Sequence, residues 1–223
     1  MQTVVITGAN RGIGFELAKQ LSQHGRRVIA ICRSSSEALD GLAGVTVEPG
    51  IDITQTAGIE ALAERLAGVV VDVLINNAGL LIGTQFDHVE DELAAYRQQF
   101  EVNTLAPLRV TRALIDNLGE GSKVVIITSR MGSIADNTSG GQYAYRISKA
   151  GVNSAGVSLA HELAPKGIAV GLLHPGYVRT GMTQHTGHVD PDVAAGQLIQ
   201  RIDELDMGTT GAFVHANGES LPW

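Results

Sequence analysis

Tyr145 and Lys149 lie four residues apart, so a helix would carry both on one face. A free tyrosine titrates near about 10 and a free lysine near about 10.4. A neighbouring ammonium favours the phenolate and lowers the phenol's pKa. That makes a tyrosine a proton donor usable near neutral pH. A second constellation opens the chain. Gly8, Gly12 and Gly14, with Asn10, Arg11 and Ile13 among them, stand between an apolar run and a helical pattern. Such a turn aims backbone amides and a helix N-terminus at an anion. Its spacing is G-x-x-x-G-x-G rather than the commoner G-x-G-x-x-G, and no Gly-Lys-Ser/Thr follows to make a P-loop. Glycines so spaced also fit a turn that only packs a helix on a sheet. The seven histidines show no metal-ligand spacing.

These residues need a scaffold, and the apolar patterning supplies one. Short β-branched runs at 3–6, 27–31, 45–47, 71–75, 123–128, 168–173 and 212–214 read as strands. Helical periodicity covers 12–23, 54–67, 91–118, 145–164 and 190–205. Gly119 ends the 91–118 helix, and Asp190 caps the last one with Pro191 at its first position. Continuously apolar strands are buried on both faces, as in a parallel sheet. Their alternation with helices predicts an α/β fold. It is a doubly wound, Rossmann-like parallel sheet of about seven strands with helices on both faces, in one domain over 1–223.

Composition narrows the function classes. The chain has 16 basic and 23 acidic residues, a net charge of −7, which argues against a nucleic-acid binder. Hydrophobic residues make up 44% and charged ones 17%, so the chain is not disordered. A lone cysteine, Cys32, excludes an intrachain disulfide and a cysteine zinc cluster, and fits a reducing cytoplasm. No apolar run is long enough to span a membrane, and no leader is expected before the first strand.

Taken in order, the motifs resemble the short-chain dehydrogenase/reductase family. Thr7, Gly8, Gly12, Ile13 and Gly14 follow the first strand, and Asn76, Asn77, Ala78 and Gly79 the fourth. Asn103 lies in the long helix, Ser129 follows the fifth strand, Tyr145 and Lys149 open the next helix, and Pro175 and Gly176 follow the sixth strand. Cys32 with Arg33, the run 129–133 and the ending 218–223 resemble the C-factor and sniffer-type carbonyl reductase branch. The resemblance implies that Tyr145 gives a proton to a carbonyl oxygen while hydride arrives from a nicotinamide. Lys149 then also bonds the nicotinamide ribose, Ser129 holds the carbonyl oxygen, and Asn103 holds a water against Lys149. Ser133 and Tyr143 compete with Ser129 and Tyr145. The strand-end position favours Ser129, the lysine spacing favours Tyr145, and Tyr143 becomes a pocket wall.

The same resemblance has Asp52 and Ile53 frame the adenine, although Asp52 beside Thr54 also fits a helix entry. Asn77, Ala78 and Gly79 line the adenosine ribose, and Asn77 ties the central strands together. Pro175, Gly176, Val178 and Thr180 clamp the carboxamide, and His174 is structural. The second strand ends in Ile31, Cys32 and Arg33, with no carboxylate for a ribose 2′-hydroxyl. Arg33 and Arg11 offer guanidinium forks to a 2′-phosphate, which selects NADP(H); the bland alternative is two solvated charges. The short stretch 181–189 implies an open pocket, and 133–141 a loop beside the site. The expected function is NADPH-dependent reduction of a small ketone, aldehyde or quinone. A C-factor-type NADP sensor competes, but sensing requires no proton donor. The resemblance also implies a homodimer through the 91–118 and 145–164 helices, where Ala150, Gly151, Ser154, Ala155 and Ser158 allow close approach.

Overall fold

The computed structural model describes all 223 residues. Seven strands form one sheet: β1 (Thr3–Thr7), β2 (Arg27–Ile31), β3 (Val45–Glu48), β4 (Val71–Asn76), β5 (Leu118–Ile127), β6 (Ala169–His174) and β7 (Phe213–His215). Their order is β3-β2-β1-β4-β5-β6-β7, and every neighbouring pair is parallel. The winding therefore reverses between β1 and β4. In open α/β sheets the crevice beyond the strand ends at that point receives the ligand.

Helices cover both faces: α1 (Gly12–Gln23), α2 (Glu37–Asp40), α3 (Thr56–Arg65), α4 (Leu93–Phe100), α5 (Ala106–Ala113), α6 (Tyr143–Leu163) and α7 (Pro191–Glu204). Successive strand residues point to opposite faces. Val4 and Ile6 accordingly pack with Leu17 and Leu21 of α1 and Leu198 and Ile202 of α7. Val5 between them packs on the other side, with Leu62 of α3, Val110 of α5 and Leu163 of α6. No helix is long and apolar enough to cross a membrane.

The predicted helix over 91–118 is not one helix. α4 stops at Phe100, a π-helical turn fills Glu101–Leu105, α5 follows, and Leu118 already begins β5. Pro107 is the reason. It has no N–H for the carbonyl of Asn103, and its ring crowds the preceding turn. The wider turn absorbs both problems and buries Asn103 and Thr104. Gly119 accordingly lies within β5, where its N–H donates to the Ser122 hydroxyl. The helix predicted over 54–67 is trimmed at both ends, and α6 starts at Tyr143 rather than Tyr145. α2 was not predicted; four residues give too little periodicity, and only its cap, Ser36, accepting from the Leu39 amide at 3.3 Å, marks it. Asp190 does occupy the N-cap of α7, but its carboxylate takes the Arg179 guanidinium at 2.7 Å instead of a backbone amide.

Candidate active site

The glycine turn joins β1 to α1 beside the end of β4. A Cβ on Gly8, whose φ is +67°, would come within 2.9 Å of the Ala78 Cα. One on Gly14 would lie 2.4 Å from both the Asn77 amide nitrogen and the Gly8 carbonyl. Only hydrogen fits at either position. Asn77 Nδ2 donates to the carbonyls of Thr7 (2.9 Å) and Gly8 (3.1 Å), while the Thr7 hydroxyl accepts from the amides of Asn77 and Ala78, both at 3.1 Å. Asn77 thus ties β1 to β4, as expected from the sequence.

Above this turn runs a cleft of ≈ 940 Å³. Gly8, Asn10, Arg11, Gly12, Ile13 and Gly14 line one end together with Arg33, Asp52, Ile53, Asn77, Ala78 and Gly79. Tyr145, Lys149, Pro175 and Thr180 line it farther along. Gly176, Val178, Asn103 and Ser129 are not in its lining. Gly176 turns the chain at φ +90°, and buried Val178 pairs with Val189, so these two shape the segment between Pro175 and Thr180. Asp52 accepts from the hydroxyl (2.7 Å) and amide (3.0 Å) of Thr54. Those bonds, helped by the charge of Arg33, lower its pKa despite burial. Asp52 therefore shapes the entry to α3 and faces the cleft at once. Ser34 also lines the cleft, and its carbonyl accepts from Asn10 Nδ2 at 3.0 Å. Its one sequence signal is a hydroxyl beside Arg33. Arg11 borders a second cavity of ≈ 320 Å³, with Leu80, Leu81, Met182 and Gln184, which Arg33 does not reach. Cys32 is buried, and burial raises its thiol pKa, so it fills space rather than reacts.

At the other end, Tyr145 and Lys149 are both buried on α6. Lys149 Nζ donates to the Ile127 carbonyl at 2.9 Å and lies 5.8 Å from the centre of the Tyr145 ring. An ammonium has three hydrogens, so two remain for the cleft. Burial pushes the Tyr145 phenol up to about 12, and the Ser129 hydroxyl beside it opposes that rise. Burial pushes Lys149 down to about 8. The expected depression of Tyr145 by Lys149 is therefore not found. Desolvation disfavours the charged form of each group, and it sets the direction of both shifts.

Ser129 caps the turn Arg130–Gly132, its hydroxyl accepting from the Met131 amide at 3.1 Å. The Ser133 hydroxyl is engaged by the amide of Asp136 at 3.0 Å, within its own turn. Ser129, not Ser133, stands beside Tyr145. Tyr143 is 39% exposed against Phe86, with ring centres 5.9 Å apart, and is not in the lining of either of these two cavities. Asn103 Oδ1 accepts from the Leu80 amide at 2.8 Å, and its Nδ2 donates to the Leu80 carbonyl (2.8 Å) and the Ser148 hydroxyl (2.9 Å). Both amide hydrogens are engaged, so a water beside Asn103 meets only its carbonyl lone pairs. His174, pushed down to about 3 mainly by burial, is neutral and packs edge-on to His215, as suits a structural residue.

The family model for short chain dehydrogenase matches residues 2–190. The 1-hydroxy-2-glutathionyl-2-methyl-3-butene dehydrogenase of Rhodococcus sp. strain AD45 is 43% identical and is matched over 100% of both chains. C-signal of Myxococcus xanthus is 41% identical over 74% of this chain and 100% of its own. Among solved structures, a short-chain dehydrogenase/reductase from Burkholderia multivorans with bound NADP superposes with a TM-score of 0.92 at 30% identity, covering 100% of this chain and 99% of that one. The carbonyl reductase Sniffer of D. melanogaster gives 0.91 at 30% identity over 100% of both.

Proposed function

The chain belongs to the short-chain dehydrogenase/reductase family, and from that premise we propose that it is an NADPH-dependent reductase of ketones, aldehydes or quinones. The observation that carries this is one cleft with Arg33 and the glycine turn at one end and buried Tyr145 and Lys149 at the other. Its donors fit a dinucleotide. Amides at the start of α1 would hold the pyrophosphate, Arg33 and Arg11 a 2′-phosphate, and the two free hydrogens of Lys149 ribose hydroxyls. Asp52 and Ile53 would hold the adenine, Asn77, Ala78 and Gly79 would back the adenosine ribose, and Pro175 and Thr180, set by the turn at Gly176 and by buried Val178, would hold the carboxamide.

NADPH, when bound, supplies the hydride to the carbonyl carbon. Ser129 holds the carbonyl oxygen, and the Tyr145 hydroxyl gives that oxygen its proton. The phenolate left behind is reprotonated from the Lys149 side, where Asn103 holds the relay water. A proton donor at about 12 still has its proton throughout the neutral range. A C-factor-type sensor would gain nothing from burying Tyr145 and Lys149 at such a cost to their charged forms.

The test is NADPH oxidation over a panel of quinones, diketones, aldehydes and ketosteroids, with NADH in parallel. The Rhodococcus relative is named for a glutathionyl alcohol, so the panel also runs a glutathione-conjugated alcohol with NADP⁺. No turnover on any of these by a protein that binds NADPH would favour the sensor. The same reading makes one domain of 1–223, places it in the cytoplasm, and pairs two copies across α4, α5 and α6. Gly151 and Gly156 pack inside the chain, against Thr104 and Leu172. Exposed Ile147, Ser154 and Ser158, with Phe100 against Gly151, form the pairing face. Light scattering at micromolar concentration giving the mass of one chain would remove the dimer.

A further inference from the structure

We propose that the segment following β7, residues 216–223, is a clamp that positions Ser129, and that Arg130 and Glu219 are its joint. This rests on the reading of Ser129 given above. The Ser129 segment is held on one side by α6. Lys149 Nζ fixes the Ile127 carbonyl, and the Thr128 hydroxyl donates to Asn153 Oδ1 at 2.6 Å. Gly132 lies so close to α6 that a Cβ there would sit 2.7 Å from the Lys149 carbonyl.

The opposite side of the segment is held by the tail. The Arg130 guanidinium, next in sequence to Ser129, meets Asp136 at 2.7 Å and Glu219 at 3.0 Å. The Ala135 amide donates to the Trp223 carbonyl at 2.8 Å. Both contacts reach the loop that carries Ser129 on from β5.

The tail is itself rigid. The His215 carbonyl accepts from the Gly218 amide, the His215 amide donates to the Glu219 carbonyl, and the Glu219 amide donates to Asn217 Oδ1 at 2.9 Å. Gly218 turns the chain at φ +97°, where a Cβ would lie 2.4 Å from an Arg201 nitrogen. Leu221 is buried with Leu172 and Phe213, and the Trp223 ring stacks on Phe213 at 5.2 Å. Glu219 is thus presented to Arg130 from a fixed turn. Exposed ion pairs of this kind add little stability, so the contact's value lies in placement. Misplacing a reacting group by about 1 Å can cost about a hundredfold in rate.

The experiment measures kcat, KM and NADPH binding for Glu219→Gln, Arg130→Ala and Arg130→Lys, with Ser129→Ala as reference. Glu219→Gln and Arg130→Ala are expected to lower kcat on the order of tenfold, with NADPH affinity and thermal midpoint unchanged. Arg130→Lys, which keeps the charge, should recover part of the loss. The shape of the pH profile should stay that of wild type, because Tyr145 remains the donor. Wild-type kcat in Glu219→Gln and Arg130→Ala, with Ser129→Ala inactive, overturns the clamp and leaves the role of Ser129 standing. Wild-type activity in Ser129→Ala removes that role, and the clamp falls with it. A loss of midpoint and NADPH affinity in step with kcat makes the tail a general support, which also overturns the proposal.

Discussion

The two ends of the cleft are built by opposite means. At the nucleotide end the chain succeeds by leaving side chains out: Gly8 and Gly14 let α1 and the β4 turn close to distances at which no Cβ fits. At the catalytic end it buries side chains that resist burial. Tyr145 is pushed up to about 12 and Lys149 down to about 8. The first end is a matter of shape and backbone, the second of ionisation held under strain. Substitutions should therefore fail differently at the two ends, in cofactor binding and packing at one and in rate and pH dependence at the other.

The largest effect is expected at the catalytic end. Tyr145→Phe removes the proton donor and little else, because the ring stays and only the hydroxyl is lost. Its kcat for carbonyl reduction should fall between about a hundredfold and ten thousandfold. NADPH affinity, followed by nicotinamide fluorescence, should stay within about twofold of wild type, since the ribose and phosphate donors are untouched. Turnover retained in this variant would take Tyr145 out of the mechanism.

Lys149 gives the next effect, in stability. The unfolded chain holds its proton up to pH 10.5 and the folded chain only to about 8. Between those values the unfolded state binds more protons, so stability rises with pH across that window. Below about 8 the burial penalty is fully present, and its ceiling is about 3 kcal/mol. Tyr145 acts in the other sense, and only above pH 10, where the folded state keeps a proton that the unfolded state loses. Lys149→Met should therefore gain stability at pH 7, lose most activity, and show a flatter urea midpoint than wild type from pH 8 to 10. A variant no more stable than wild type at pH 7 would mean that the ammonium is better solvated than its burial implies.

What could be read from the chain beforehand follows the same division. The glycine turn and the parallel, doubly wound sheet were legible, because glycine spacing and continuous apolar runs are local signals, and the place of Asn77 followed from the family resemblance. Pro107 was visible too, but apolar periodicity runs through it, and the break at the π-helical turn is a local cost that only the packed position of Asn103 resolves. The ionisation of Tyr145 was misjudged for a physical reason. Spacing reveals that a lysine is near, but not how much water both groups lose when α6 packs on β5. The contacts of residues 216–223 with the Ser129 loop join segments far apart in sequence, and no local pattern announces them.

At the nucleotide end, Gly14→Ala tests shape alone. A methyl group there meets Asn77 Nδ2 and the Gly8 carbonyl at 2.4 Å, and neither can move without breaking the tie between β1 and β4. The expected cost is about 1–3 kcal/mol in unfolding free energy, together with weaker NADPH binding. Residual kcat at saturating NADPH should be less affected, because Tyr145 and Lys149 are untouched. A fall in kcat with unchanged NADPH affinity would blur the division between the two ends.

The most selective effect is expected at Arg33. A 2′-phosphate distinguishes NADPH from NADH, and a charged hydrogen bond to it is worth about 1.5–3 kcal/mol. Arg33→Ala should therefore weaken NADPH binding by about tenfold or more and leave NADH nearly unchanged. Arg11→Ala should do less, because Arg11 is divided between the main cleft and the cavity beside Met182. Adding Cys32→Asp to Arg33→Ala supplies the missing acceptor for a ribose 2′-hydroxyl. Cys32 is 4% exposed, so the new carboxylate is costly until a ribose meets it. The double variant should then be less stable on its own, regain midpoint with NADH rather than NADPH, and shift its preference toward NADH. Paired titrations of wild type and both variants check this. Equal affinity of wild type for the two cofactors would make Arg33 and Arg11 ordinary surface charges.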